Sequence, residues 1–180
     1  MSLNNIEEIA NYIVSDGKGI LAADESNPTC GKRFDSIGVE STEENRRDYR
    51  EMLFRSKGIK GNIGGVILFD ETIRQSSDDG TLLRDIISNQ GALPGIKVDK
   101  GLQPIDGCPG ETVTVGLEGL NERLNEYSSM GAKFTKWRAV INIGDGIPTD
   151  KCIDANMEAL ADYAKCAQDN GMVPIVEPEV

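Results

Sequence analysis

The chain has 180 residues, of which 38% are hydrophobic and 27% are charged, values typical of one soluble domain with its own hydrophobic core. The 19 lysines and arginines against 30 aspartates and glutamates give a net charge of −11, which argues against nucleic acid or an anionic membrane as the main partner. The lack of histidine excludes histidine-dependent nucleophile triads and argues against imidazole-bound zinc. Acid–base chemistry would therefore use carboxylates, lysines or tyrosines.

The sequence predicts a cytoplasmic protein without a metal. No apolar run approaches the ~20 residues that span a bilayer, and the acidic start of the chain does not resemble a signal or transit peptide. The four cysteines lack metal-ligand spacing and are interpreted as reduced thiols: Cys30, Cys108, Cys152 and Cys166.

The predicted elements alternate between helices and strands from the N-terminus onward. The first helix has apolar residues at helical spacing, namely Leu3, Ile6, Ala10 and Ile13. A buried strand is predicted at 19–24, and a capping box at 41–44 then begins a helix that continues to about Phe54. The next strand is predicted at 65–71 and a weaker helix at 82–88.

The same alternation continues through the second half of the chain. A strand at 94–100 precedes a helix that ends at a cap with Gly131, and its apolar stripe is Leu117, Leu120, Leu124 and Tyr127. A strand at 134–140 precedes a helix that ends at 170–171, and its apolar stripe is Ile153, Met157, Leu160 and Ala164. The fifth predicted strand is 173–179.

Strand–helix alternation is the signature of parallel βαβ units, here in a single α/β domain that covers residues 1–180. Segments 104–110 and 144–149 are predicted to be loops over the rim of the sheet. A doubly wound sheet and a (β/α)8 barrel both fit this order of elements. The charges inside the strands distinguish between them.

Three strands carry two charged residues two positions apart, which lie on one face of a strand: Lys97 and Asp99, Lys136 and Arg138, and Glu177 and Glu179. The residues between them are predicted to face covering helices, namely Val98, Trp137 and Pro178. Asp24 ends the first strand in the same manner. An open sheet would bury such charges under a helix at large cost, whereas a barrel collects them at its C-terminal mouth.

A single charged residue at a strand end is usually a cap or a solvated loop edge, and roughly one in five would be catalytic. Four strands with inward charges of both signs instead favour a phosphosugar site. Lysine and arginine would hold phosphate, and carboxylates would transfer protons.

Six motifs in the same strands and helices resemble class I fructose-bisphosphate aldolases: 17–26 (GKGILAADES), 42–47 (TEENRR), 64–69 (GGVILF), 95–101 (GIKVDKG), 136–138 (KWR) and 173–179 (VPIVEPE). The resemblance implies a (β/α)8 TIM barrel, of which this chain supplies the first five strands. It implies reversible cleavage of fructose 1,6-bisphosphate to dihydroxyacetone phosphate and glyceraldehyde 3-phosphate. The resemblance further implies that the reaction uses no metal and no organic cofactor, because an iminium formed on a lysine is itself an electron sink.

The resemblance also implies catalytic roles for four residues. Asp24 matches a partner in proton transfer and substrate-hydroxyl binding, and Lys136 matches the lysine that assists carbinolamine formation and dehydration. Glu177 matches the general acid/base that protonates the departing hydroxyl group. Glu179 matches a neighbouring carboxylate of the same charge network.

Five further residues match substrate-binding positions. Lys97 and Arg138 match positions near the phosphate remote from the Schiff base, and Ser26, Arg33 and Arg46 resemble residues on a phosphate-binding rim. The chain departs from the family at Thr29, where relatives often have serine. Threonine keeps the hydroxyl group.

The family's Schiff-base lysine and its ketone-side phosphate ligands correspond to positions beyond Val180, so the sequence is interpreted as part of a longer protein. The family implies a homotetramer for that longer protein, with a phosphorylated sugar as its substrate. Two alternatives stay open: a catalytically inert fragment or phosphosugar-binding module, and a Schiff-base aldolase with another phosphosugar preference.

Overall fold

A computed structural model describes residue 3 and residues 5–180. The strands of this part are, in chain order, β1 (Gly19–Ala23), β2 (Ile63–Leu68), β3 (Leu93–Lys97), β4 (Leu102–Pro104), β5 (Thr112–Thr114), β6 (Phe134–Val140) and β7 (Val173–Glu179). The helices are α1 (Ile6–Ile13), α2 (Asn27–Asp35), α3 (Glu43–Phe54), α4 (Asp70–Arg74), α5 (Leu83–Asn89), α6 (Leu120–Ser129) and α7 (Asp150–Asp169). Within these residues no helix has both the length and the apolar character that a membrane span requires.

Five parallel strands form one curled sheet in the order β1-β2-β3-β6-β7. Neighbours in this sheet follow one another along the chain, apart from the separate β4–β5 hairpin. A doubly wound sheet would instead reverse its strand order at a switch point. The described strands therefore form part of a barrel, and the barrel prediction is confirmed.

The main core fills the space between the sheet and the helices. Trp137 is fully buried there and stacks on Tyr163 with 5.3 Å between ring centroids. Val98 is buried in the same core, so both residues face helices as predicted. Pro178 is exposed on the edge strand β7, so a helix covering it stays a prediction. Strands β1 and β7 lie at the two edges of the sheet.

A smaller apolar cluster closes the amino-terminal end of the sheet, where Phe134 packs with Ile13 and Ile67. Glycines make room for it. A Cβ on Gly65 or Gly95 would lie closer than 3.0 Å to the Phe134 ring. This apolar floor lies on the same side of the sheet as the charged residues at the strand ends, because side chains two positions apart share a face.

Several predicted boundaries are wrong. The second and third strands end at Leu68 and Lys97, because α4 begins at Asp70 and the chain leaves the sheet after Lys97. The capping residue of α3 is Thr42, whose Oγ1 accepts a hydrogen bond from Asn45 N at 3.1 Å. Helix α2 was not predicted, although the proline in its first turn is compatible with a helix start.

The predicted loop at 104–110 begins inside the β4–β5 hairpin. This hairpin also changes which face of α7 is buried. Asn156 is fully buried and donates a hydrogen bond to Thr112 O at 2.9 Å, while Ile153 and Met157 are 37% and 39% exposed. The predicted apolar stripe of α7 is therefore displaced toward the hairpin.

Candidate active site

A cavity of about 830 Å³ opens at the carboxyl ends of the parallel strands. This is the end at which barrels of this kind place their active sites. The predicted site residues that line the cavity are Asp24, Ser26, Arg33, Lys97, Lys136 and Arg138. Glu177, Glu179 and Arg46 are not among its lining residues.

Lys136 lies at the centre of the candidate site. Its Nζ donates a hydrogen bond to Asp24 Oδ2 at 3.1 Å and lies 2.9 Å from Glu177 Oε2. The side chains of Lys136 and Asp24 are only 11% and 10% exposed. The two carboxylates come from opposite edges of the sheet, after β1 and within β7. One ammonium group thus connects both edges.

The Lys136 ammonium is stabilised in its charged form. Burial lowers the pKa of Lys136, but the hydrogen bond with Glu177 and the charge of Asp24 outweigh it and raise the pKa overall. A charged ammonium can donate a proton or hold a developing negative charge, but it cannot attack a carbonyl group. The geometry therefore supports an electrostatic and proton-transfer role for Lys136 rather than Schiff-base formation.

Glu179 lies two positions after Glu177 on the same face of β7. Its Oε2 is 3.0 Å from Arg138 Nη1, and both side chains are roughly half exposed. This ion pair places Glu179 farther out than Glu177, at the rim of the strand ends. The predicted charge network is present, whereas the catalytic role of Glu179 stays a prediction.

Lys97 and Asp99 form an ion pair inside the cavity. The Asp99 side chain is 5% exposed, so the charge of Lys97 is already balanced by a buried carboxylate. Asp99 was noted as a neighbour on the strand face but was not predicted as a site residue. A phosphate group at Lys97 would compete with Asp99 for the ammonium.

The N-terminus of α2 presents two hydroxyl groups to the cavity. Ser26 is the capping residue, and its Oγ lies 3.1 Å from Thr29 Oγ1. Because hydroxyls and the free N–H groups of a first helical turn suit an anion, this corner fits a phosphate. Threonine at position 29 keeps the second hydroxyl group in place.

Arg33 also lines the cavity and extends from the last turn of α2. Its guanidinium forms an ion pair with Glu25 and donates a hydrogen bond to Tyr49 Oη at 3.2 Å. Its side chain is 54% exposed, which leaves part of the guanidinium accessible from the cavity. The structure thus places Arg33 at the cavity, while its contact with a phosphate stays a prediction.

Arg46 lies outside the cavity lining and is bound elsewhere. Its Nε and Nη2 donate to the two carboxylate oxygens of Glu71 at 2.8 and 2.7 Å, and its Nη1 donates to Ser41 O at 2.6 Å. A bidentate pair of this kind is strong and directional. A phosphate contact by Arg46 stays a prediction, and it would require this pair to open.

The Arg46–Glu71 pair predicts a response to acid. Hydrogen bonding to Arg46 holds the pKa of Glu71 below its usual range. Its contribution to the free energy of unfolding is therefore present above the unfolded-state pKa of about 4.3 and is lost as the pH falls through the folded-state pKa. Urea unfolding at stepped pH should show stability falling below about pH 5, with a smaller decline in Glu71→Gln. Glu158→Gln, at an exposed glutamate of α7, should decline like wild type. An equal decline in all three proteins would contradict the interpretation.

A second charged cluster beside the cavity was not predicted. Arg74 joins Asp70 at 2.8 Å to Glu126 at 2.6 Å, and Tyr127 Oη donates to Asp70 Oδ1 at 2.8 Å. Burial, together with the hydrogen bond to Asp70, raises the pKa of Tyr127 to about 12. These contacts join α4 to α6 along one wall of the cavity. Asp70 falls inside the strand predicted at 65–71, and the helix α4 that carries Arg74 was not predicted.

Glu25 also lines the cavity, with Arg50 paired to it, and neither residue was predicted. Arg50 is 2% exposed, and its guanidinium lies 3.0 Å from the Glu25 carboxylate. A sequence signal was present, because Arg50 precedes the buried Phe54 by four residues on α3 and so shares its inward face. In the described part of the chain, no three histidine, cysteine, aspartate or glutamate side chains are arranged to hold a metal ion.

Comparisons with known proteins agree on one family. Residues 5–180 match the glycolytic class I fructose-bisphosphate aldolase family. A probable class 1 fructose-bisphosphate aldolase of Xylella fastidiosa is 56% identical over all of this chain and 54% of its own length. A cytosolic fructose-bisphosphate aldolase of Arabidopsis thaliana is 52% identical over 99% of this chain and 46% of its own. The chain spans about half the length of the curated relatives it matches.

A solved structure shows the same fold. The fructose-bisphosphate aldolase of Plasmodium falciparum, in a complex with TRAP and a small-molecule inhibitor, superposes with a TM-score of 0.93 at 45% identity. The match covers 99% of this chain and 55% of that one. The described strands therefore correspond to roughly half of that protein.

Proposed function

This chain belongs to the class I fructose-bisphosphate aldolase family, and on that basis we propose that the protein reversibly cleaves fructose 1,6-bisphosphate to dihydroxyacetone phosphate and glyceraldehyde 3-phosphate. The observation that carries the proposal is the position of Lys136 between Asp24 and Glu177. An ammonium held between two carboxylates can relay protons at a carbon–carbon bond that is being broken.

The proposed chemistry uses a lysine amine and no metal. The amine adds to the ketone to give a carbinolamine, whose hydroxyl leaves as water with a proton from Glu177, and an iminium forms. Asp24 then accepts the proton of the substrate hydroxyl while the carbon–carbon bond breaks. The electron pair of that bond moves into the iminium. Lys136 stabilises the negative charge that passes between these groups.

We place the Schiff-base lysine beyond Val180, on the sixth strand of the family's barrel. Two of the lysines that line the cavity are held in ion pairs, Lys97 with Asp99 and Lys136 with Asp24 and Glu177. Neither presents a free amine to a ketone. The third, Lys100, is exposed.

The remote phosphate is proposed to lie near the N-terminus of α2 and the rim cations. Ser26 and Thr29 supply hydroxyl donors, while Arg33, Lys97 and Arg138 supply positive charge. Because each of these cations pairs with a carboxylate in the described structure, the phosphate replaces an internal partner rather than filling an uncompensated site.

The test uses a protein of family length, in which the chain is continued by the sequence that follows Val180 in its reading frame. It should release triose phosphates from fructose 1,6-bisphosphate in a coupled assay, keep its activity in EDTA, and lose it irreversibly when borohydride is added with substrate. Activity that disappears in EDTA and survives borohydride with substrate would overturn the proposal. Comparing kcat/KM for fructose 1-phosphate with kcat/KM for fructose 1,6-bisphosphate would identify an aldolase with another phosphosugar preference.

A binding-only role for residues 1–180 is the second candidate, because the described cavity already contains the proposed phosphate donors. In that case the 180-residue chain would bind fructose 1,6-bisphosphate in calorimetry and release no triose phosphate.

We further propose that the family-length protein is a cytoplasmic homotetramer. Sedimentation velocity and fractionation of the source cells test these two points.

A further inference from the structure

Arg50 holds the backbone on both sides of Asp24. Its Nε donates to Ala23 O at 2.8 Å, and its Nη2 donates to Glu25 O at 2.9 Å. The remaining nitrogen, Nη1, contacts Cys30 Sγ at 3.2 Å. One rigid, planar guanidinium thus binds the residue before and the residue after a carboxylate of the candidate active site.

The segment that Arg50 holds has no regular structure of its own. Strand β1 pairs with β2 only as far as Ala23, and α2 begins at Asn27. Asp24 therefore lies between the last ladder residue and the first helical turn. Backbone carbonyls in such a segment need partners from elsewhere, and Arg50 supplies two of them from α3.

The charge of Arg50 is balanced inside the protein. Its Nη2 lies 3.0 Å from Glu25 Oε2, and Glu25 in turn pairs with Arg33 on the rim. A buried arginine without such a partner would be costly. The same side chain thus connects the Asp24 backbone with the rim arginine.

We propose that Arg50 is a positioning residue that fixes the Asp24 carboxylate against the Lys136 ammonium by holding the carbonyl oxygens of Ala23 and Glu25. The effect of Arg50 on catalysis rests on the aldolase function proposed above, whereas its effect on the position of Asp24 does not. Without the guanidinium, the Ala23 and Glu25 carbonyls lose the two hydrogen bonds that α3 supplies. The Asp24 carboxylate then no longer stays within 3.1 Å of Lys136 Nζ.

The test compares Arg50→Lys and Arg50→Met with two reference variants in the family-length protein. Lysine keeps the positive charge and one donor group. Methionine keeps most of the side-chain volume but has no charge and no donor group. Asp24→Asn removes the carboxylate directly and serves as the benchmark. Arg55→Lys is the matched control, because Arg55 caps the same helix and contacts Glu51 and Asp79 away from the cavity.

Four quantities are measured: the melting temperature, kcat, KM and the pKa of Lys136. Trace acetylation over a pH series, quantified by mass spectrometry of the Lys136 peptide, gives the pKa. We expect the pKa of Lys136 to fall in Asp24→Asn and in Arg50→Met, and to fall less in Arg50→Lys. We expect kcat to fall about 100-fold in Arg50→Met, since a displacement of about 1 Å can cost that much, while KM changes by less than about threefold.

A purely structural arginine would lower the melting temperature and leave kcat, KM and the pKa of Lys136 at their wild-type values. That result in folded Arg50→Lys and Arg50→Met would overturn the proposal. If Arg50→Met does not fold, Arg50→Lys alone decides through the pKa of Lys136. If the wild-type protein cleaves no sugar phosphate, the proposed function fails, and the labelling series still shows whether Arg50 positions Asp24.

Discussion

Replacing Glu177 by glutamine is expected to lower kcat of the family-length protein by about 1,000-fold, within the range that a general acid contributes, and to change KM by less than about threefold. Glutamine has nearly the same shape but cannot deliver a proton to the departing hydroxyl group. The proposed phosphate-binding groups lie on other elements, around Ser26, Arg33 and Lys97, so substrate binding should persist. Steady-state kinetics with fructose 1,6-bisphosphate measure both parameters.

Glu158→Gln supplies the matched control for this experiment. Glu158 is an exposed glutamate on α7, away from the cavity, and its replacement should leave kcat unchanged. Turnover of Glu177→Gln within about threefold of wild type would show that another group donates the proton. The Lys136 ammonium, 2.9 Å from Glu177, would then be the first candidate.

The second large effect concerns folding rather than catalysis. Gly95→Ala should destabilise the protein by about 3 kcal/mol or more, at the upper end of the cost of overpacking a core. The added Cβ would lie less than 3.0 Å from the Phe134 ring. Phe134 is fully buried and cannot move outward. Urea unfolding followed by circular dichroism measures the loss.

Two further variants check the cause. Gly31→Ala on α2 introduces a Cβ that meets only Ser41, at 3.8 Å, and should be tolerated because alanine favours a helix. Phe134→Leu combined with Gly95→Ala should cost less than the sum of the two single changes, because the smaller side chain makes room for the new methyl group. Strict additivity would show that Phe134 is not the obstacle.

The sequence could predict the faces of the strands but not the partners of their charges. Lys136 and Arg138 lie two positions apart, so their common face follows from the alternation of a strand. That Lys136 contacts Asp24, 112 residues earlier, depends on how strongly the sheet curls. Arg46 shows the same limit, because its pairing with Glu71 over 25 residues reflects the packing of α3 and α4 rather than any local pattern.

Helix α2 and Arg50 were missed for different reasons. Asn27, Pro28 and Gly31 have the composition of a loop, whereas in place the proline occupies the first helical turn, where its missing N–H is harmless. In the sequence, Arg50 is one of several charged residues of α3. Only the packing of α3 against the end of β1 shows that its guanidinium is buried and bound to backbone carbonyls.

Strand β6 joins the two ends of the barrel interior within five residues. Phe134 belongs to the apolar floor, Lys136 to the ion-paired centre, and Arg138 to the rim, all on one face, while Trp137 faces the helices. Inserting or deleting one residue before β6 would invert this alternation. The indole would enter the cavity and the ammonium would enter the helix-facing core. The register of β6 therefore determines both the packing of the core and the composition of the candidate site. A change of length before this strand would disrupt both together.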